Sequence, residues 1–187
     1  MNLEYGYIWP NTRVLGPGDR FVIWVQGCHR RCFRCTSPEL QIFDNGRTID
    51  TDVLVDKICH THNISGITIS GGEPFEQSAA LADLLIKLKA LRPVLTVILF
   101  TGYRLDQLKN EEYRKVLEHV DVLIDGEYID ALNDNKGLRG SSNQTIHFLT
   151  SRLIQYKDIL ENADRTREIH VLAENELLTI GIANRNK

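Results

Sequence analysis

The stretch Phe21-Val-Ile-Trp-Val-Gln-Gly-Cys-His-Arg-Arg-Cys-Phe-Arg-Cys35 decides the fold, because it joins a buried strand to a cluster of cysteines. Its first five residues are β-branched or aromatic, which predicts a buried strand. Cys28, Cys32 and Cys35 then follow with the spacing C-x-x-x-C-x-x-C. A structural zinc site closes its shell with four protein ligands, whereas an iron–sulfur cluster takes one cysteine per iron. Three cysteines would leave one iron of a 4Fe-4S cluster open to a small molecule, so the stretch predicts an enzyme.

A zinc site completed by His29, His60 or a distant group is the alternative use of these cysteines. Zinc sites usually pair two short ligand clusters, and the sequence has no second Cys-x-x-Cys. A disulfide framework is not expected, because four cysteines in 187 residues without an apolar signal segment are not disulfide-dense. Cys59 lies on a predicted helix face and is interpreted as a small buried hydrophobic residue.

Length and composition predict one globular domain spanning residues 1–187. The net charge of −3 argues against a nucleic-acid partner. Arg30, Arg31 and Arg34 form a local basic patch, for which a solvated or cofactor-facing loop is the simpler explanation. The longest apolar run, Val94 to Phe100, is too short to span a bilayer, so no membrane association is expected. A reducing cytoplasm, in which free thiolates persist, is the expected location.

Strand and helix patterns alternate along the chain. This alternation indicates βαβ units and a mainly parallel sheet. A complete eightfold barrel takes about 250 residues, so the sequence predicts an α/β fold with a partial (βα)6-type barrel. The predicted strands are 21–25, 67–70, 94–100, 122–124, 145–149 and 168–172, with 177–182 as a further candidate; the predicted helices begin near Thr51 and cover 75–91, 113–120 and 153–160.

Four chemically distinctive segments follow predicted strands. Reactive groups in such barrels lie at the carboxyl ends of the strands, so these segments are expected to meet on one face. Gly71-Gly72-Glu73-Pro74 could present backbone groups to a ligand, or could form a tight turn with Pro74 at the first helical position. Asp125 and Glu127 lie on the same side of a strand, as ribose contacts or as capping or surface carboxylates. The segments are the cysteine loop, Gly71–Pro74, Thr101-Gly102 and Asp125–Glu127.

The three cysteines, followed by Gly71-Gly72-Glu73-Pro74, resemble the motifs of the radical S-adenosylmethionine (SAM) enzymes. The resemblance implies that the cysteines hold a 4Fe-4S cluster whose open iron chelates the amino and carboxylate groups of SAM. It implies that the glycine-rich strand end supports the SAM methionine. It further implies that an electron from the cluster cleaves SAM to methionine and a 5′-deoxyadenosyl radical, which abstracts hydrogen from a substrate. The cofactor would carry the chemistry, and the protein would bind and orient it.

A longer series of motifs is similar to the small activating enzymes of anaerobic ribonucleotide reductase. The similarity covers roughly residues 14 to 150. It implies formation of a glycyl radical on a large partner enzyme, with a reduced flavodoxin-like or ferredoxin-like electron donor. It also implies SAM contacts at Gly71 to Pro74, Thr101 and Asp125. The motifs are Gly16-Pro17-Gly18-Asp19-Arg20, Trp24-Val25-Gln26-Gly27-Cys28, Ser37-Pro38-Glu39-Leu40, Phe100-Thr101-Gly102-Tyr103, Asp121-Val-Leu-Ile-Asp125-Gly126 and, most specific, Arg139-Gly140-Ser141-Ser142-Asn143-Gln144.

Arg34 departs from this resemblance. Many radical SAM enzymes have an aromatic residue just before the third cysteine, and reductase activases often have glycine there. A guanidinium can stack on a purine, so an adenine contact by Arg34 is expected instead. The irregular segment from Asp130 to Gln144 is expected to line an open face that receives a loop of the partner.

Two other functions stay open at this point. One is a radical SAM enzyme that acts on a small molecule or a peptide. The other is a redox or structural iron–sulfur protein without SAM chemistry, against which the Gly71–Pro74 segment argues.

Overall fold

The structure, a computed structural model, describes residues 1–173 and 176–185, which form nine strands and four α-helices. Short 3-10 helices connect several of these elements. The elements are β1 (Asn2–Thr12), β2 (Arg20–Val25), β3 (Arg47–Asp50), α1 (Thr51–Cys59), β4 (Gly66–Gly71), α2 (Ser78–Leu91), β5 (Thr96–Phe100), α3 (Glu111–Leu117), β6 (Val122–Asp125), β7 (Thr145–Phe148), α4 (Lys157–Asn162), β8 (Glu168–Ala173) and β9 (Glu176–Ile180).

Seven of the strands form one mixed sheet that is mostly parallel. Its strand order is β3-β1-β2-β4-β5-β6-β7. The strands β2, β4, β5 and β6 pair in parallel, whereas β1 pairs antiparallel with β2 and β3, and β7 pairs antiparallel with β6. Five of the seven strands therefore run in one direction, which confirms the α/β class and the mainly parallel sheet. Strand order does not determine how far a sheet curves, so the partial barrel stays a prediction.

The structure corrects the predicted sixfold βα repeat in its second half. β7 pairs antiparallel with β6, because the segment between them is an irregular loop and not a crossover helix. The strand predicted at 168–172 forms as β8, but it pairs with β9 in a separate hairpin. Most β8 residues are exposed, whereas a central parallel strand is buried on both faces. Within the predicted domain 1–187, residues 174, 175, 186 and 187 lie outside the described residues.

Two strands and the bounds of three helices also differ from the prediction, since the helices predicted at 75–91 and 113–120 form as Ser78–Leu91 and Glu111–Leu117. β1 contains Gly6 and Pro10, which interrupt a strand pattern, and its pairing with β2 has two register shifts. β3 has only four residues and no buried one. The helix predicted at 153–160 forms as a 3-10 helix, Ser151–Tyr156, followed by α4.

Apolar side chains of the parallel strands alternate between two buried faces of the sheet. On one face, Phe21 and Ile23 pack against the helices α1 to α3. On the other face, Val22 packs in a cluster with Leu138 and Ile180, which come from the chain after β6. Burial on both faces explains why these strands are continuous apolar runs in the sequence. No helix among the described residues is both long and apolar enough to cross a membrane.

Arg20 is fully buried at the amino end of β2 and joins three strands. Its guanidinium donates to the Thr68 hydroxyl at 2.7 Å and the Thr96 hydroxyl at 3.0 Å. Burial lowers the pKa of Arg20 to about 9, so the guanidinium stays charged at neutral pH and its hydrogen bonds are charge-assisted. The Gly16–Arg20 motif therefore has a structural role, at the end of β2 opposite the cysteine loop.

Candidate functional site

The cysteine loop and the Gly71-Gly72 segment are joined by backbone hydrogen bonds. β2 and β4 are parallel neighbours, and Val25 is paired with Gly71. The Gly72 N–H donates to the Val25 carbonyl, and the Glu73 N–H donates to the Gly27 carbonyl, both at 2.8 Å. The two loops therefore leave the sheet side by side, as expected for loops that follow adjacent parallel strands.

Gly71 and Gly72 are required by this contact between two backbones. Gly71 has a φ of +105°, in the region that favours glycine. A Cβ on Gly72 would lie 2.2 Å from the Gly27 carbonyl oxygen. Pro74 begins the 3-10 helix Pro74–Gln77, which fits the tight-turn interpretation. Backbone packing is sufficient to explain why glycines occupy positions 71 and 72. A role in ligand binding therefore depends on whether these residues line a cavity.

One cavity of about 560 Å³ brings the predicted cysteines and strand ends together. Cys28, Cys32 and Cys35 line it, together with Gly71 to Glu73 and Thr101. The cysteine loop, the Gly71–Pro74 segment and Thr101-Gly102 therefore meet at this cavity. The fourth predicted segment, Asp125–Glu127, contributes only Gly126. Further lining residues are Tyr7, Trp24, Arg30, Phe100, Gly126 and Gln144.

The three cysteines of the loop line the cavity as separate side chains. In a cluster each cysteine binds a different iron, so the thiolates surround a larger group. Burial raises the pKa of the Cys28 and Cys32 thiols, so iron binding must offset the loss of their protons. Cys59 lies elsewhere, at the end of α1, where it packs against the main core but is half-buried and not fully buried as predicted.

Glu73 is fully buried and organises the cavity wall. Its carboxylate accepts hydrogen bonds from the Thr101 hydroxyl at 2.8 Å, the Gly102 N–H at 2.8 Å and the Phe75 N–H at 3.1 Å. Burial raises the pKa of Glu73, and these hydrogen bonds act in the opposite direction. The carboxylate therefore joins the loop after β4 to the loop after β5.

Arg30 is a site residue that the sequence assigned only to a basic patch. Its guanidinium lies 3.7 Å from Glu73 (Nε to Oε2) and 4.1 Å from the centre of the Tyr103 ring. Its buried Nε has no hydrogen-bond partner among the described residues, so this N–H is available to an acceptor on a ligand. In the sequence, only the position of Arg30 between Cys28 and Cys32 indicated that it could belong to the site.

Arg34 and Asp125 lie outside the lining of this cavity. Arg34 is exposed, and its guanidinium is 3.7 Å from Asp130, so nothing in the structure supports the expected adenine contact. Asp125 accepts a hydrogen bond from the Leu105 N–H at 2.6 Å, which fits the capping interpretation. Asp125 and Glu127 both line a neighbouring cavity of about 670 Å³.

Hydrogen bonds within the Arg139–Gln144 motif connect the irregular loop, residues 130–144, to the end of β6. The Gln144 side chain accepts from the Gly140 N–H at 2.7 Å and donates to the Gly126 carbonyl at 2.6 Å. Gly140 and Gln144 line the cavity. The irregular loop therefore contributes two residues to the cavity, and its role in receiving a loop of the partner stays a prediction.

The chain after β7 also forms part of the cavity wall, which the sequence did not indicate. We call residues 165–173 and 176–183 the C-terminal segment. Arg165 has a side chain only 3% exposed and donates to the carbonyls of Arg139 at 2.5 Å and Ala183 at 3.1 Å. The bond to Arg139 holds the segment against the irregular loop, and the bond to Ala183 joins the two ends of the segment. Its lining residues are Arg167, Leu177, Leu178, Thr179, Gly181, Ile182 and Ala183.

Comparison with protein families defines the class of protein. Residues 14–147 match the model of a family described as a 4Fe-4S single cluster domain. This range begins before β2 and ends within β7, so it contains the three cysteines and the strands that carry them. The chain is thus an α/β protein with a single 4Fe-4S cluster domain.

Individual relatives narrow this class. The chain is 32% identical to the anaerobic ribonucleoside-triphosphate reductase-activating protein of Enterobacteria phage T4 over 148 residues, which are 77% of this chain and 93% of the phage protein. It is 31% identical to the Escherichia coli K12 protein of the same name over 155 residues, 79% of this chain and 99% of that protein. The Haemophilus influenzae protein of that name is 31% identical over 153 residues, 78% and 97% of the two chains. The chain belongs to the family of anaerobic ribonucleoside-triphosphate reductase-activating proteins.

Proposed function

We propose that this chain is a radical SAM enzyme that activates an anaerobic ribonucleotide reductase by forming a glycyl radical on it. The observation that carries the proposal is the single cavity lined by Cys28, Cys32, Cys35 and the Gly71–Glu73 strand end. The relatives named above are reductase-activating proteins, which supports the choice of partner. When bound, the cluster supplies the electron that cleaves SAM to methionine and a 5′-deoxyadenosyl radical, which takes one hydrogen atom from a glycine of the reductase.

The residues of the cavity have separate roles in this proposal. Cys28, Cys32 and Cys35 would hold the cluster, which would supply an iron for the amino and carboxylate groups of SAM. The cavity of about 560 Å³ is within the usual range for small-molecule sites. The free Nε–H of Arg30 is available to a carboxylate or ribose oxygen. Gly71 to Glu73 and Thr101 would shape the cavity wall around SAM, with Glu73 holding the wall in position and Pro74 starting the helix behind it.

The neighbouring cavity supports a polypeptide substrate. It shares Arg30, Gly102 and Gly126 with the first cavity. A segment of the reductase bound there would bring its glycine next to the SAM site. Asp125 and Glu127 line this second cavity, so their proposed contacts are with the substrate segment or with the SAM ribose. A reduced flavodoxin-like or ferredoxin-like protein is the proposed electron donor.

The decisive experiment combines the reduced protein, SAM and an anaerobic ribonucleotide reductase without oxygen. We expect 5′-deoxyadenosine and a glycyl-radical doublet in the electron paramagnetic resonance spectrum of the reductase. Reactions without SAM, or with Cys32→Ala, serve as controls and should give neither signal. SAM cleavage without a radical on the reductase, together with turnover of a small molecule or peptide, would select the first alternative. A bound cluster that never cleaves SAM would select a redox protein.

A further inference from the structure

We propose that the outer side of the cysteine loop is the docking surface for an acidic one-electron carrier protein. The surface consists of Arg31, Phe33 and Arg34, and we call it the loop surface. None of the three lines the cavity that is assigned to SAM. The inference rests on the proposed function, since SAM cleavage is what requires the electron.

Phe33 gives the loop surface an apolar centre. Its side chain is 80% exposed, the highest value among the large apolar side chains of the described residues. It lies between Cys32 and Cys35, so a protein that covers it comes close to the cluster. Electron-transfer complexes have small interfaces, and a single exposed aromatic side chain is a large part of such an area.

The charge of the loop surface selects the kind of partner. The sequence from Cys28 to Pro38 contains three arginines and no acidic residue, whereas the whole chain has a net charge of −3. Arg31 and Arg34 are both exposed. The only ion pair involving Arg34 in the described part of the chain is with Asp130, at 3.7 Å. A positive patch on an otherwise acidic protein attracts and orients an acidic partner.

The backbone conformation at Arg31 and Arg34 does not itself favour arginine. Arg31 and Arg34 have φ values of +52° and +55°, in the left-handed region that glycine occupies with less strain. Neither arginine lines the cavity or belongs to the described core clusters. Strained residues of this kind collect at functional sites, which is consistent with arginines that serve an interaction outside the folded chain.

The electron would enter the cluster through the loop surface, whose residues do not line the cavity that SAM would occupy. In this step the carrier loses one electron and the cluster gains one, and no covalent bond changes.

The test compares Arg31→Gly/Arg34→Gly with the matched double variant Arg114→Ala/Lys115→Ala. The glycines remove two charges and keep the backbone conformation, so the loop can fold. The control removes two charges from exposed positions on α3. The measurement is the rate of cluster reduction by a reduced bacterial flavodoxin at low and high salt. We expect the glycine variant to be slowed about tenfold at low salt and to lose most of its salt dependence. The control should match the unaltered protein, and Phe33→Ala should weaken flavodoxin binding.

A second measurement separates this inference from the proposed function. Clusters reduced beforehand with dithionite should cleave SAM equally well in the unaltered protein and the glycine variant. If the unaltered protein does not cleave SAM, the proposed function fails, and the flavodoxin rates still test the loop surface. Equal flavodoxin rates in all variants would overturn the inference. So would normal flavodoxin rates with a selective loss of reductase activation, which would assign the loop surface to the reductase.

Discussion

The four cysteines have different environments, and this difference predicts which of them hold iron. Cys28, Cys32 and Cys35 line the cavity, whereas Cys59 packs against the main core. Each Cys→Ala change in the first three should remove most of the bound iron and sulfide and the visible absorbance of the cluster. Cys59→Ala is the matched control and should keep them. Iron and sulfide assays on anaerobically purified protein measure the difference, and tight zinc without sulfide would contradict the cluster.

Glu73 offers a second test on a single residue. Both carboxylate oxygens accept hydrogen bonds, from Phe75 and Thr101 on one side and Gly102 on the other. In Glu73→Gln, an NH2 group would face one of these donors, so the free energy of unfolding should fall by about 1–3 kcal/mol. Glu111→Gln is the control, because Glu111 is 86% exposed and is paired only with Lys115 among the described residues. Urea unfolding measures both variants, and equal effects would show that the wall does not depend on Glu73.

The sequence predicted site residues whose chemistry is visible in their spacing. Cys28, Cys32, Cys35 and Gly72 follow strands whose apolar runs are unmistakable, so their convergence was predictable. Arg30 was not, because its role depends on the direction of its side chain between Glu73 and Tyr103. Linear spacing contains no information on which way a loop residue points.

Among the structural elements, the C-terminal segment has the most testable role. Arg165→Ala removes the hydrogen bond that holds this segment to the Arg139 carbonyl and the bond to Ala183 that joins the two ends of the segment. Hydrogen exchange in residues 176–183 should therefore increase. SAM affinity should fall about fivefold, equivalent to about 1 kcal/mol, because one wall of the cavity loosens. Lys157→Ala, at an exposed position on α4, is the control. Unchanged affinity combined with faster exchange would show that the segment does not contact SAM.

Strands with continuous apolar sequences could be predicted from the sequence, whereas the pairing of strands with mixed polar and apolar residues could not. The runs that became β2, β4, β5 and β6 are buried on both faces, so their residues alone indicate strands. β1 is mostly half-buried and contains Pro10, so its pairing depends on its neighbours. β8 was predicted as a strand, but its place outside the sheet follows from contacts such as that of Glu168 with Thr12. Contacts between distant parts of the chain decide such cases.

At the scale of the whole molecule, Asp121 connects the helical layer, the sheet and the C-terminal half. Its buried carboxylate accepts hydrogen bonds from the Val97 N–H at 2.8 Å, the Thr150 hydroxyl at 2.7 Å and the Lys89 ammonium at 3.2 Å. Although burial acts to raise it, these partners hold the pKa of Asp121 below its usual range. The ionised carboxylate therefore stabilises the fold fully above about pH 4, and this contribution is lost as the pH falls through the lower pKa of the folded state.

Asp121→Asn should lower the free energy of unfolding by about 1–3 kcal/mol at neutral pH. The difference between the variant and the unaltered protein should shrink on acidification below about pH 4, because the unaltered carboxylate becomes protonated. Urea unfolding across this pH range gives both quantities. Asp56→Asn is the control, since the Asp56 side chain is 73% exposed. A pH-independent difference would mean that the charge of Asp121 does not contribute.

The order of the strands has a consequence for the behaviour of the protein at high concentration. The outermost strands of the main sheet, β3 and β7, have four residues each. The β3 strand begins with an arginine and ends with an aspartate. Short edge strands, of which β3 also carries charge, give another chain little unpaired backbone on which to add a strand. The longer apolar strands lie inside the sheet, between these two edge strands. The main sheet therefore resists edge-to-edge aggregation with the sheet of another molecule.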